Sequence, residues 1–118
     1  MPFIDLQSNL ASGCFSEDFL RSFCSICAAA LNKPEERMNV VVHPGLPMLM
    51  NGSCSPCVVL SVLAISVTDS AEKNKEHSAK IFSFLTKELG LTEDRIVIQF
   101  HELQPHQVGK KGTVMSFL

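Results

Sequence analysis

No run of basic residues occurs anywhere in these 118 residues, and the formal net charge is −2. A chain without a polybasic patch offers no electrostatic footprint for nucleic acid or for an anionic membrane surface. Nor is there an apolar stretch of the roughly 20 residues that a bilayer span needs, so membrane insertion is not expected. The first 20 residues include Asp5, Glu17 and Asp18 and lack a basic start followed by an apolar run. Those are the two parts of a secretory leader, so the expected location is cytoplasmic. An even cysteine count is missing too. The five present, Cys14, Cys24, Cys27, Cys54 and Cys57, fit reduced thiols better than a disulfide framework. His43, His77, His101 and His106 fall in no HExxH pattern, and "GKKGT" lacks the GxxxxGK spacing of a phosphate loop. Solvent or turn positions account for the four histidines. Asn51-Gly52-Ser53 matches a glycosylation acceptor, but without a secretory route it reads as an Asn-Gly turn.

What remains is a globular composition, 46% hydrophobic and 19% charged, in a chain long enough for a core without staples. Residues 1–118 read as a single domain. Within it the sequence is written twice at an offset of 58. "EERMNVVV" (Glu35 to Val42) falls on "EDRIVIQF" (Glu93 to Phe100), and "FIDL" falls on "SVLA" within the apolar "VVLSVLAIS". Phe23, Cys24, Cys27 and Leu31 fall on Ile81, Phe82, Leu85 and Leu89. These recur at three- and four-residue steps, the spacing of one buried helix face. Each half, about 1–57 and 58–104, therefore reads strand, helix, strand.

The punctuation agrees. The first helix is predicted over about Ser16 to Leu31, with Glu17 and Asp18 favourable in its first turn and Asn32 and Pro34 closing it. The second is predicted over about Ala71 to Leu89, capped by Asp69 or Ser70 and ended by Gly90. Glu76 and Lys80 are spaced for an i,i+4 ion pair on its exposed face. Two β-α-β units with right-handed crossovers imply an α/β fold, a four-stranded sheet with both helices on one face. The other sheet face is then bare, with only the tail 105–118 left in the chain. Self-association is expected to cover it, with the strand-prone "TVMSFL" pairing onto a neighbouring subunit.

Two CxxC pairs invite a metal reading, since Cys24-Ser-Ile-Cys27 and Cys54-Ser-Pro-Cys57 resemble half-sites of a four-cysteine zinc centre. The repeat argues against it, because Cys24 and Cys27 stand where Phe82 and Leu85 do, and free cysteine there behaves as a small hydrophobe. No metal is expected. "CSPC" also resembles a thioredoxin pair, but that pair opens a helix, whereas this one precedes a β-branched strand. Two other positions invite chemistry. Pro2 fits a strand's first residue; with Met1 trimmed, as is usual ahead of a small residue, it is a free secondary amine on a rigid ring. Lys33 fits a cation at a helix C-terminus. It also places an ammonium at the end of the first crossover, near Pro2.

With these features in place, the chain resembles the tautomerase superfamily, which includes macrophage migration inhibitory factor and D-dopachrome tautomerase. The resemblance runs along the whole chain and is carried by "MPF", "NKPEERMNVVVHPGLPM", "NGSCSPC", "EHSAKIFSFLTKELGL", "EDRIVI" and "VGKKGTVMSFL". "HSAKIFSFLTKEL", "GTVMSFL" and Arg37 resemble the D-dopachrome branch. The migration inhibitory factor branch has a tyrosine and an asparagine where this chain has Val97 and Gln99. It also has the second cysteine of its own CxxC at Leu60. The D-dopachrome branch tends to serine at Ala64, beside Ile65 at the pocket, and to arginine at Gln99.

The resemblance implies a homotrimer with a pocket between subunits and a small aromatic or keto-acid-like substrate. It implies conversion of D-dopachrome to 5,6-dihydroxyindole with loss of the carboxyl group. The chemistry asks for a base and a cation, and no cofactor. A terminal amine has a reference pKa of about 7.7–8.0, and burial and nearby cations lower it. Pro2 is then the general base, Lys33 holds a carbonyl or carboxylate oxygen, and Arg37 is a second anion contact, with Ile65 and Ala64 against the substrate. The same resemblance implies a second reading, a cytokine-like ligand of a cell-surface receptor, the class II invariant chain, released without a signal peptide.

Overall fold

The computed structural model describes residues 1–118. Along β1 (Phe3–Ser8), Ile4, Leu6 and Ser8 are buried while Phe3, Asp5 and Gln7 are not. Along β3 (Val58–Ala64), Val58, Leu60, Val62 and Ala64 alternate in the same way. That period of two is the pleat, and it defines one core-facing side of a sheet. β2 (Asn39–His43) and β4 (Ile96–Glu102) complete it in the order β2-β1-β3-β4. β1 runs parallel to β2 and β3 parallel to β4, as two β-α-β units require, and the units join through the antiparallel β1–β3 pair.

The intervening helices are α1 (Glu17–Leu31) and α2 (Ala71–Leu89). Both cover the same face: Phe19, Phe23, Cys27, Leu31, Ile81 and Leu85 join the buried strand residues in one cluster. Ser16 caps α1 rather than beginning it, its hydroxyl accepting from Phe19 N–H at 3.1 Å. Ser70 caps α2 in the same way through Lys73 N–H. Gly90, at φ 67°, ends α2 in the left-handed region where a side chain is strained.

Three expectations need correcting. Glu76 and Lys80 form no ion pair; the helix pairs are Glu17–Arg21 and Asp69–Lys73, at 2.9 and 2.8 Å. Spacing permits an exposed pair but contributes only about 0.3–0.5 kcal/mol, too little to require one. His77 is not at the surface: it is buried on α2, with Nε2 2.6 Å from the Val67 carbonyl. Cys24 is only partly buried, although Cys27 beside it is fully so.

The tail holds less strand than "TVMSFL" suggests. β5 (Gly109–Lys110) and β6 (Thr113–Val114) form a hairpin, and Met115–Phe117 turn into a 3₁₀ helix. Lys111 and Gly112 make the turn at φ 54° and 78°, the positive values a two-residue hairpin turn of this twist demands. On the bare sheet face Val41 and Val97 are 51% and 41% exposed. No helix is long and apolar enough to cross a membrane.

Candidate active site

The chain's N-terminus, the end of α1 and the β5–β6 hairpin meet at one edge of the molecule. α1 closes with Asn32 in the left-handed conformation (φ 54°, ψ 48°), which turns Lys33 N–H back onto the Ala28 carbonyl at 2.9 Å. This double closure, with Asn32 N–H on Ala29, fixes the backbone that carries the Lys33 side chain. Pro34 then stops the helix and opens a 3₁₀ turn, Glu35–Arg37, which sets Arg37 ahead of β2.

Asn39 ties the two strands together at this point. Its backbone N–H and its side-chain amide both donate to the Pro2 carbonyl, at 3.1 and 3.2 Å, and the amide also reaches the Arg37 carbonyl at 3.4 Å. Pro2 is fully buried. Its burial costs no donor, since proline has no N–H within a chain.

The terminal amine, here on Met1, has its pKa lowered from 8.0. Burial is the largest cause, followed by the charges of Lys33, Arg37 and Lys110. Both effects disfavour the protonated form. A cleft of about 360 Å³ opens beside it, lined by Met1, Arg37, Lys110, Lys111, Met115 and Leu118. The Met1 sulfur lies 3.5 Å from Lys110 Nζ. A larger hollow of about 680 Å³ runs along α2 past Lys75, Phe82, Thr86 and Glu93. It is open and mixed in charge, and none of the candidate residues reaches it, so volume alone does not pick the site.

The structure therefore brings Lys33 and Arg37 to the chain terminus. Ala64 and Ile65 stand elsewhere on its border: Ala64 is fully buried at the end of β3, and Ile65 is partly covered just beyond it. Neither lines the cleft of one chain. Lys110, Lys111 and Asn39 were missed by sequence reasoning. In the "GKKGT" stretch the lack of phosphate-loop spacing was legible; its approach to Met1 was not.

No cysteine lines this cleft. No group of three or more histidine, cysteine, aspartate or glutamate residues is placed to hold a metal ion. Burial and the neighbouring Cys24 push the Cys27 thiol up to about 12, and burial and Glu35 raise that of Cys24. Cys57 is buried at the start of β3, its N–H donating to Asn9 Oδ1 at 2.9 Å.

A family model described as Macrophage migration inhibitory factor (MIF) matches residues 1–116. The chain belongs to the macrophage migration inhibitory factor family. Among its relatives, a D-dopachrome decarboxylase of Xenopus tropicalis is 51% identical over 118 residues, covering all of both chains. One of Bos taurus is 50% identical over the same span. The solved macrophage migration inhibitory factor of Trichinella spiralis superposes with a TM-score of 0.87 at 27% identity, over 95% of this chain and 98% of that one. The mixed four-stranded sheet under two helices is thus the fold of this family.

Proposed function

We propose that this chain is a D-dopachrome decarboxylase, using the Pro2 amine that removal of Met1 exposes. The reading rests on one observation above the others: the chain terminus sits at a cleft lined by Arg37, Lys110 and Lys111, where burial and the charges of Lys33, Arg37 and Lys110 lower the pKa of the amine, here on Met1. Identity of about half, end to end, with relatives that bear that name points to the same reaction. The net change is loss of CO₂: the electron pair of the broken carbon–carboxylate bond passes into the quinone, which gains one proton from ring carbon and one from solvent to become a catechol, so no outside oxidant or reductant is needed. The Pro2 nitrogen takes the ring-carbon proton. Lys33 steadies the oxygen on which negative charge gathers, and Arg37 holds a second anionic group. Ala64 and Ile65 line no part of the cleft in one chain, and their contact with substrate awaits a neighbouring subunit.

A homotrimer goes with this reading. Val41 and Val97 leave apolar area on the uncovered sheet face, and Phe117 and Leu118 are 81% and 61% exposed in the tail. A neighbour packed there would close over the cleft and bury its amine further.

The test is D-dopachrome turnover by protein shown by mass to begin at Pro2. An alanine inserted ahead of Pro2 turns the nitrogen into an amide and is expected to lower kcat/KM by about 100-fold or more. Lys33→Ala is expected to lower it by about tenfold or more. Equal rates from the alanine-extended chain would remove Pro2 as the base.

A further inference from the structure

The Asn51-Gly52 turn lies outside the cleft and has no part in the proposed reaction. Met50 and Ser53 exchange both backbone N–H···O=C bonds at 3.0 Å, and between them Asn51 and Gly52 stand at φ 51° and 74°. Two successive positive φ values are what an Asn-Gly pair supplies to a tight turn. Both residues are exposed, and nothing lies within 4 Å of the point where a side chain on Gly52 would begin. The Gly52 N–H donates to no acceptor. The Asn51 side-chain amide has a single partner, the Asp94 carbonyl at a long 3.3 Å.

An asparagine side-chain amide is open to attack by the backbone nitrogen of the next residue. That nitrogen gives up its proton and bonds to the side-chain carbonyl carbon, and ammonia leaves, closing a five-membered succinimide. Water then opens the ring at either carbonyl to give aspartate or its backbone isomer, isoaspartate. The sum is one water consumed and one ammonia released, with nothing oxidised or reduced. The other four asparagines lack the conditions for this. Asn32 is also left-handed, but the nitrogen after it belongs to Lys33 and donates to the Ala28 carbonyl at 2.9 Å. After Asn9, Leu10 N–H is held by Ser8 Oγ at 3.0 Å, and the Asn9 amide is itself engaged by Cys54, Ser55 and Cys57. Asn39 and Asn74 lie in β2 and α2 and are followed by valine and lysine.

We infer that Asn51 is a site of spontaneous deamidation, and that its isoaspartyl product loosens the 50–56 loop from β4. The loosening follows from Arg95, whose guanidinium donates to the Met50 and Ser53 carbonyls at 2.9 and 3.2 Å, the two residues that this turn joins. Isoaspartate routes the backbone through the former side chain and inserts a methylene between them, so the carbonyls no longer match a rigid fork of donors. Aspartate leaves the backbone path unchanged and tolerates the left-handed position.

Peptide mapping by mass, on the full folded chain held at mildly alkaline pH, tests the site. The peptide containing Asn51 is expected to gain the mass difference between an amide and an acid at least about tenfold faster than any other asparagine peptide. It should also become a methyl acceptor for a protein-isoaspartyl methyltransferase supplied with S-adenosylmethionine. Asn51→Gly, which keeps positive φ accessible, should abolish both signals. An Asn51 peptide that keeps its mass, or changes no faster than the others, would overturn the site. Urea midpoints test the consequence. The methyl-accepting material should unfold at lower urea than fresh chain, whereas Asn51→Asp should unfold where fresh chain does. Equal midpoints for the isoaspartyl form and fresh chain would overturn the loosening.

Discussion

Arg37 and Arg95 stand at the same place in the two halves of the chain, each at the end of a 3₁₀ turn before a strand. Arg95 is consumed by structure: its guanidinium meets four backbone carbonyls and holds the 50–56 loop against the start of β4. That loop is also gripped from the other side by Asn9, whose amide donates to Cys54 and Ser55 carbonyls. Arg37 has no such loop to hold and faces the cleft. The repeat supplies the scaffold, and the place where the two copies differ is where the proposed site lies. Proteins tend to break local symmetry or consistency at functional sites.

The core offers the harshest way to break the comparison. Cys27 and Leu85 are repeat partners, both fully buried. Leu85→Ala leaves a cavity and is expected to destabilise the fold by about 3 kcal/mol, whereas Cys27→Ala removes one sulfur and should cost about 1 kcal/mol. Urea unfolding midpoints give both numbers. Equal losses would mean that the halves do not share a core register.

The arginines come next. Arg95→Ala leaves four carbonyls without their charged donor and should lower stability by about 2 kcal/mol. Arg37→Ala should change stability by less than about 0.5 kcal/mol, in keeping with an exposed side chain that bonds nothing. Its D-dopachrome kcat/KM should instead fall by about tenfold. The reverse pattern, a fragile Arg37 variant that retains full turnover, would cancel the distinction drawn between the two halves.

What could be read beforehand was local. Apolar steps of three and four residues located both helices, and Ser16, Asn32, Ser70 and Gly90 end them as their side chains or backbone freedom dictate. Pro2 and Lys33 were legible because a strand start and a helix end are marked by punctuation. Lys110 was not, because its contact with Met1 joins residues 109 apart and leaves no periodic trace. Asn39 was hidden for the same reason. An asparagine at a strand start looks ordinary until the Pro2 carbonyl is found within reach of both its donors. His77 was misplaced because the Val67 carbonyl that pairs it arrives from the loop after β3, a match made only in three dimensions.

The smallest effect sharpens the comparison most. Burial first, then Lys33, Arg37 and Lys110, lower the pKa of the terminal amine below 8.0. With Met1 gone the amine is on Pro2, one residue deeper and already buried, so the same causes act on it. A base lowered in pKa is unprotonated further down the pH scale, so the acid limb of kcat/KM should lie below pH 8. Removing a cation lets the amine pKa rise, and the limb should move to higher pH. Lys33→Ala should move it further than Lys110→Gln, because Lys33 is the stronger of the two influences. Salt divides the causes. At 1 M the Debye length is about 3 Å, so the cations are screened while burial is untouched. The limb of the unaltered chain should therefore climb only part of the way, and that of Lys33→Ala should climb less. A limb unmoved by either substitution or by salt would leave burial as the sole cause, and Arg37 would have no electrostatic part in which it differs from Arg95.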